Sequence, residues 1–213
     1  MQPEAAPATD PASLLSLALD AGVETPADPA SERILDAALA LVGEGGLRAV
    51  SMDRVAARAG LGRMTVYRRF GERARLVQAL AVRETRRGLA GVAAAQADPR
   101  LGAADRIAEG FVAALRVARE EPFFARMPAL EVLGALNQPG EETVQMVRDF
   151  IAGFIREGQA RGELRDVDAE IAAELLLRLG VSFLLIPRST IPLADPDAAR
   201  TVARTMIAPI VAG

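Results

Sequence analysis

One stretch constrains this chain more than any other: SMDRVAARAGLGRMTVYRRFGER, from Ser51 to Arg73. Met52, Val55, Ala56 and Ala59 recur at helical spacing and mark one apolar stripe, with Arg54 and Arg58 on the opposite side. Ser51 stands just before that stripe, where a side-chain oxygen caps a helix N-terminus. Gly60-Leu61-Gly62 then interrupts the periodicity with turn chemistry. A second short helix is expected from about Arg63 to Phe70, with Val66 and Phe70 inward. Two short helices about a tight glycine turn have the build of a helix-turn-helix, whose second helix enters the DNA major groove.

The remainder of the chain points the same way. Hydrophobic residues make up 51% of it and aromatics only 4%, so the apolar mass is Ala, Leu and Val, which favours helix over sheet. Strand-like alternation is hard to find. The fold class is therefore expected to be all-α, and 213 residues suffice for one large or two small domains. The first helix is expected from Ser31, its N-cap, with Ile34, Leu35, Ala38, Leu39, Leu41 and Val42 at helical spacing until the glycines at 43, 45 and 46. A long helix should run from about Gly71 toward Ala97. Further helices are expected at about 102–120, 122–136, 140–161, 168–186 and 195–211, separated by Pro and Gly breaks. Residues 1–30, rich in Pro, Ala and Asp, read as a disordered arm, with a short amphipathic stretch at Ser13–Ala21.

Several chemistries are excluded by composition. The chain has no histidine and no cysteine. A histidine base, a Ser-His-Asp triad, a thiol nucleophile, a Cys/His zinc site and a disulfide are all impossible. Adjacent acids occur at Glu120-Glu121 and Glu141-Glu142, both at helix boundaries where acids serve as end charges, so a carboxylate-only enzyme is a poor fit. No catalytic residue, cofactor or metal is expected. No stretch of about 20 apolar residues is present, since Glu174 and Arg178 interrupt Ile171–Pro187, and no secretory signal opens the chain. A cytoplasmic location without membrane contact is expected.

Charge is distributed unevenly. Residues 1–30 hold five acids and no arginine, residues 31–87 hold twelve arginines against six acids, and residues 88–213 hold thirteen against seventeen. The helix-turn-helix thus sits in an island of net charge +6, between segments of −5 and −4. That is the electrostatic footprint of a DNA-binding surface. Every basic residue is arginine, the side chain suited to bidentate guanine and phosphate contacts.

Ile34-Leu35-Asp36-Ala37-Ala38, Gly45-Gly46-Leu47, Ser51-Met52-Asp53-Arg54-Val55-Ala56, Ala59-Gly60-Leu61 and Thr65-Val66-Tyr67-Arg68-Arg69-Phe70 together resemble the N-terminal domain of the TetR family of bacterial transcription regulators. The resemblance runs without gaps over about residues 31–80. It implies an all-helical homodimer, with a helix-turn-helix DNA-binding domain at 31–78 after the arm at 1–30, and a helical ligand-binding and dimerisation domain at 79–213. It places Arg63, Met64 and Thr65 where base edges are read, and Tyr67, Arg69 and Arg73 where phosphates are held. Arg68 lies on the same outer face, and Ser51 falls near a phosphate as helix N-termini do. Gly62 stands where the family often has serine, removing a cap. Arg69 stands where the family often has His or Tyr, which strengthens a phosphate clamp.

The C-terminal half carries no family-wide motif. Ile171, Leu175, Leu176, Leu179 and Phe183 form one apolar stripe, and Ala199, Val202, Met206, Ile207 and Ile210 another. The resemblance implies that helices near 168–186 and 195–211 pack against their mates in a second copy. The partner would be double-stranded DNA bearing a pseudo-palindromic operator. A ligand pocket for a small hydrophobic inducer is expected among Phe111, Leu115, Phe123, Phe124, Met127, Met146, Phe150, Phe154 and Arg178. Plain core is an equal reading for the apolar members, and Glu174 one turn away is the expected partner of Arg178. The functional expectation is a repressor released from DNA by its ligand. The alternative is a helical adaptor that keeps the head without binding DNA.

Overall fold

The structure is a computed structural model that describes residues 28–126, 142–186 and 189–212. Among the described residues all regular structure is helical. In chain order the helices are α1 (Pro29–Gly45), α2 (Met52–Ala59), α3 (Arg63–Phe70), α4 (Arg73–Ala95), α5 (Ala103–Glu120), α6 (Pro122–Ala125), α7 (Glu142–Ala160), α8 (Ala169–Leu185) and α9 (Pro196–Val202). The expected arm up to residue 27, most of the expected helix at 122–136, and Met127 and Glu141 lie outside the described residues.

The start of α1 corrects the sequence reading. Asp28, not Ser31, is the N-cap: its carboxylate accepts from the amides of Ala30 at 3.0 Å and Ser31 at 3.2 Å. Pro29 follows at the first helical position, where a missing N–H costs nothing. Ser31 is buried inside the first turn, and its hydroxyl donates to Asp28 Oδ2 at 2.6 Å. An Asp-Pro start outcompetes a serine three residues on because it satisfies two orphan amides and adds a negative charge at the positive end of the helix.

The described residues fall into two compact units, and one of them contains residues 28–88, 115–126 and 142–145. Within it Ile34, Leu35, Val42, Val50, Val55, Val66, Leu76 and Leu80 are fully or almost fully buried in one core. Phe123 of α6 is buried in the same core, and Phe124 packs against it edge-on to Phe123. Each such side chain stabilises by ~1.5–3 kcal/mol on burial. The unit also holds a charged cluster. Arg83 is only 8% exposed and contacts Glu84, Asp36 and Glu32 at 2.8, 2.9 and 3.1 Å. It joins α4 to α1 by charge as well as by packing.

The other unit contains residues 89–114, 146–186 and 189–212. Ile107, Ala152, Ile155, Leu164, Ala172, Ala173, Ala208 and Val211 form its main core. Gly158 of α7 is needed for close approach, since a Cβ there would stand 2.4 Å from Leu164 Cδ1. The C-terminal segment departs from the single regular helix expected at 195–211. After α9 the chain widens into a π-type turn at Ala203–Ile207 and then tightens into a 3₁₀ turn at Ala208–Ile210. Pro209 explains the change: it has no N–H, and its ring would clash with the Thr205 carbonyl of a regular helix. Arg165 closes the end by donating to the carbonyls of Pro209 and Ile210 at 2.7 and 2.6 Å.

Candidate nucleic-acid interface

Helices α2 and α3 carry the candidate recognition surface. The Ser51 hydroxyl caps α2 by accepting from the Arg54 amide at 3.3 Å. At its other end Gly60 takes φ +64, a left-handed conformation that other residues reach only with strain. Its N–H and that of Leu61 satisfy the carbonyls of Ala57 and Ala56. Arg33 of α1 donates to the Ala59 carbonyl at 2.6 Å, which fixes the turn from outside. Gly62 precedes α3 without a side-chain cap, the consequence of glycine at that position. Val66 and Phe70 anchor α3 in the core.

With that face buried, α3 turns Arg63, Met64 and Arg68 to solvent, and Met64 is 77% exposed. A methionine that open on a short polar helix adds nothing to the core, so its apolar surface stays free for a partner. Thr65 is half-buried, and Tyr67 packs partly against the core. The four residues Arg63, Met64, Thr65 and Arg68 thus stand on one short helix with its inner side locked.

The arginines are not equally free. Arg63 Nε lies 2.8 Å from Asp53 Oδ1, its Nη2 donates to the Tyr67 hydroxyl at 3.3 Å, and its Cζ stands 5.2 Å from the Tyr67 ring centre. The Tyr67 hydroxyl, and then the Asp53 charge, bind the guanidinium proton more tightly than usual. Arg69 donates to Asp28 Oδ2 at 2.8 Å. Arg73 donates through Nε to the Val50 carbonyl at 2.8 Å and through Nη2 to the Leu47 carbonyl at 2.7 Å. So two of the three side chains expected at phosphates also brace the fold. Sequence reading missed both carboxylate partners. Asp28-Pro29 carries the signal of a helix start, which the expected tail at 1–30 hid, whereas nothing in the spacing joins Asp53 to Arg63.

Residues 34–80 match the family model described as bacterial regulatory proteins, tetR family. Solved structures of that fold match nearly the whole chain. Salmonella enterica GusR is 23% identical, covers 87% of this chain and 97% of its own, and superposes with a TM-score of 0.64. The TetR-family repressor AlkX from Dietzia is 24% identical, with coverages of 86% and 95% and a TM-score of 0.62. Residues 34–80 thus carry the N-terminal domain of the TetR family. No curated protein matches it. The fatty acid degradation regulator FadR from Bacillus halodurans shares the fold at 15% identity, coverages of 84% and 97%, and a TM-score of 0.62.

The residues expected to line a TetR-family ligand pocket are divided between the two units. Leu115 and Phe124 belong with the helix-turn-helix, Leu115 buried and Phe124 packed on its core. In the other unit Met146 and Phe150 are buried, Phe154 packs on the main core, and Phe111 meets Phe183 edge-on at 5.8 Å. Arg178 is exposed and pairs with Glu174 at 2.6 Å, the partner its spacing suggests; Glu174 also meets Arg148. Among the described residues no helix is long and apolar enough to cross a membrane.

Proposed function

We propose that this TetR-family protein is a sequence-specific repressor of transcription that acts in the cytoplasm as a homodimer. One observation carries the reading: a recognition helix whose inner face is locked into a core while Arg63, Met64 and Arg68 stand open in a basic island. Arg63, Met64 and Thr65 read base edges. Tyr67, Arg68, Arg69 and Arg73 hold the backbone, with Ser51 at a phosphate.

The second copy docks on α8 and the C-terminal segment. Ile171, Leu175 and Leu179 recur along α8 yet are exposed, as is Met206. Apolar side chains repeating on one exposed helical face mark a protein interface. A small hydrophobic ligand binds the unit that contains Phe111, Met146, Phe150 and Phe154, and favours the state with weaker DNA affinity. Two fold neighbours are named for n-alkane and fatty-acid breakdown, in keeping with an apolar ligand.

Fluorescence anisotropy of a labelled mixed-sequence duplex tests the DNA reading. Affinity must fall steeply and log-linearly with salt, because phosphate contacts release counterions. Flat salt dependence, or no binding at low salt, leaves the adaptor reading. A series of fatty acids added to the protein–DNA complex tests release. The expected result is dissociation together with a raised melting temperature of the free protein.

A further inference from the structure

Asp53 stands outside the residues read as DNA contacts, yet it holds the side chain most able to choose a base. It projects from the first turn of α2 and reaches the first turn of α3, with Oδ1 2.8 Å from Arg63 Nε. Tyr67 acts on the same guanidinium from below, by its hydroxyl at 3.3 Å and its ring at 5.2 Å. Both members of the ion pair are 61% exposed. A pair that open adds little to folding, so the contact is better understood by what it does to Arg63.

We propose that Asp53 is a positioning residue that sets base specificity, by holding Arg63 Nε so that the Nη donors are left for a guanine. The proposal rests on Arg63 reading base edges. Three contacts fix a long side chain before DNA arrives, so less rotamer freedom is lost on docking. With Nε occupied, Nη1 and the second hydrogen of Nη2 remain, a pair that matches guanine O6 and N7. Those acceptors are neutral. A phosphate reached by the same guanidinium would be drawn toward the Asp53 carboxylate and repelled by it. Asp53 therefore favours the base over the backbone, and specificity is that difference of affinities.

The test is selection from a random-sequence duplex pool by the full chain and by Arg63→Ala, Asp53→Ala and Asp53→Asn, with binding to a mixed-sequence duplex measured beside it. The wild-type half-site should contain a G·C pair whose preference disappears in Arg63→Ala. At that pair Asp53→Ala and Asp53→Asn should lose roughly five-fold or more of the preference, the low end of what a bidentate arginine contributes. Both should bind mixed-sequence DNA at least as tightly as wild type, since a negative charge has left the interface. A purely structural Asp53 would lower the melting temperature and weaken all sequences alike. Wild-type preference retained at that pair by both Asp53 variants overturns the proposal. If Arg63→Ala selects the wild-type sequence, the base-reading role itself falls and takes the proposal with it.

Discussion

Arg69, proposed to hold a phosphate, is also bound within the fold by Asp28. The Arg69 guanidinium is held at 2.8 Å by the residue that caps α1, forty-one positions earlier in the chain. A bridging arginine has donors left for a phosphate, which is sequence-blind. Arg69→Ala should therefore weaken binding to every duplex alike and reduce the salt slope by about one, read by anisotropy titrations at several salt concentrations. Asp28 supplies a pH test. The Ser31 hydroxyl, the Ser31 and Ala30 amides and the Arg69 charge hold the Asp28 carboxyl below the ordinary carboxylate range. A depressed pKa in the folded state gives stability that is present above the unfolded value and is lost as pH falls through the folded one. Urea midpoints of wild type and Asp28→Asn should differ at neutral pH and converge as pH falls below about 4.

At the scale of elements, α3 depends on its two anchors. Phe70 is buried at the end of the recognition helix, and Phe70→Ala should cost ~3–5 kcal/mol in urea unfolding. The α1–α4 contact depends on Arg83, whose removal leaves Glu84 buried with less compensation. Arg83→Ala should cost ~3–5 kcal/mol, measured in the same way. Helices α2 and α3 were legible because their apolar periodicity is short and broken by glycine, with Ser51 capping α2. The start of α1 was misread because Asp28-Pro29 closes a stretch whose composition resembles a tail. The irregular C-terminal turns fall at Pro209, a signal that local apolar spacing overrode. The partners of Arg69, Arg73 and Arg83 were not legible, since contacts between residues 23 to 51 apart in sequence are made by tertiary packing. The candidate ligand residues were legible only as apolar bulk, which core and pocket share.

For the whole molecule, the proposed second copy docks on the exposed stripe of α8. Leu175 is half exposed at its centre, and Leu175→Arg should leave the helical circular dichroism intact while sedimentation shows a monomer. DNA affinity should fall with it, because two heads joined in one dimer bind at a high effective concentration. Footprinting of the intact wild-type protein on duplex selected from a genomic pool addresses the central reading most directly. Two inverted half-sites centred about 34–36 Å apart, one DNA turn, are the predicted protection. A pool that shows no enrichment, or a single half-site without its inverted mate, would contradict sequence-specific binding by a dimer.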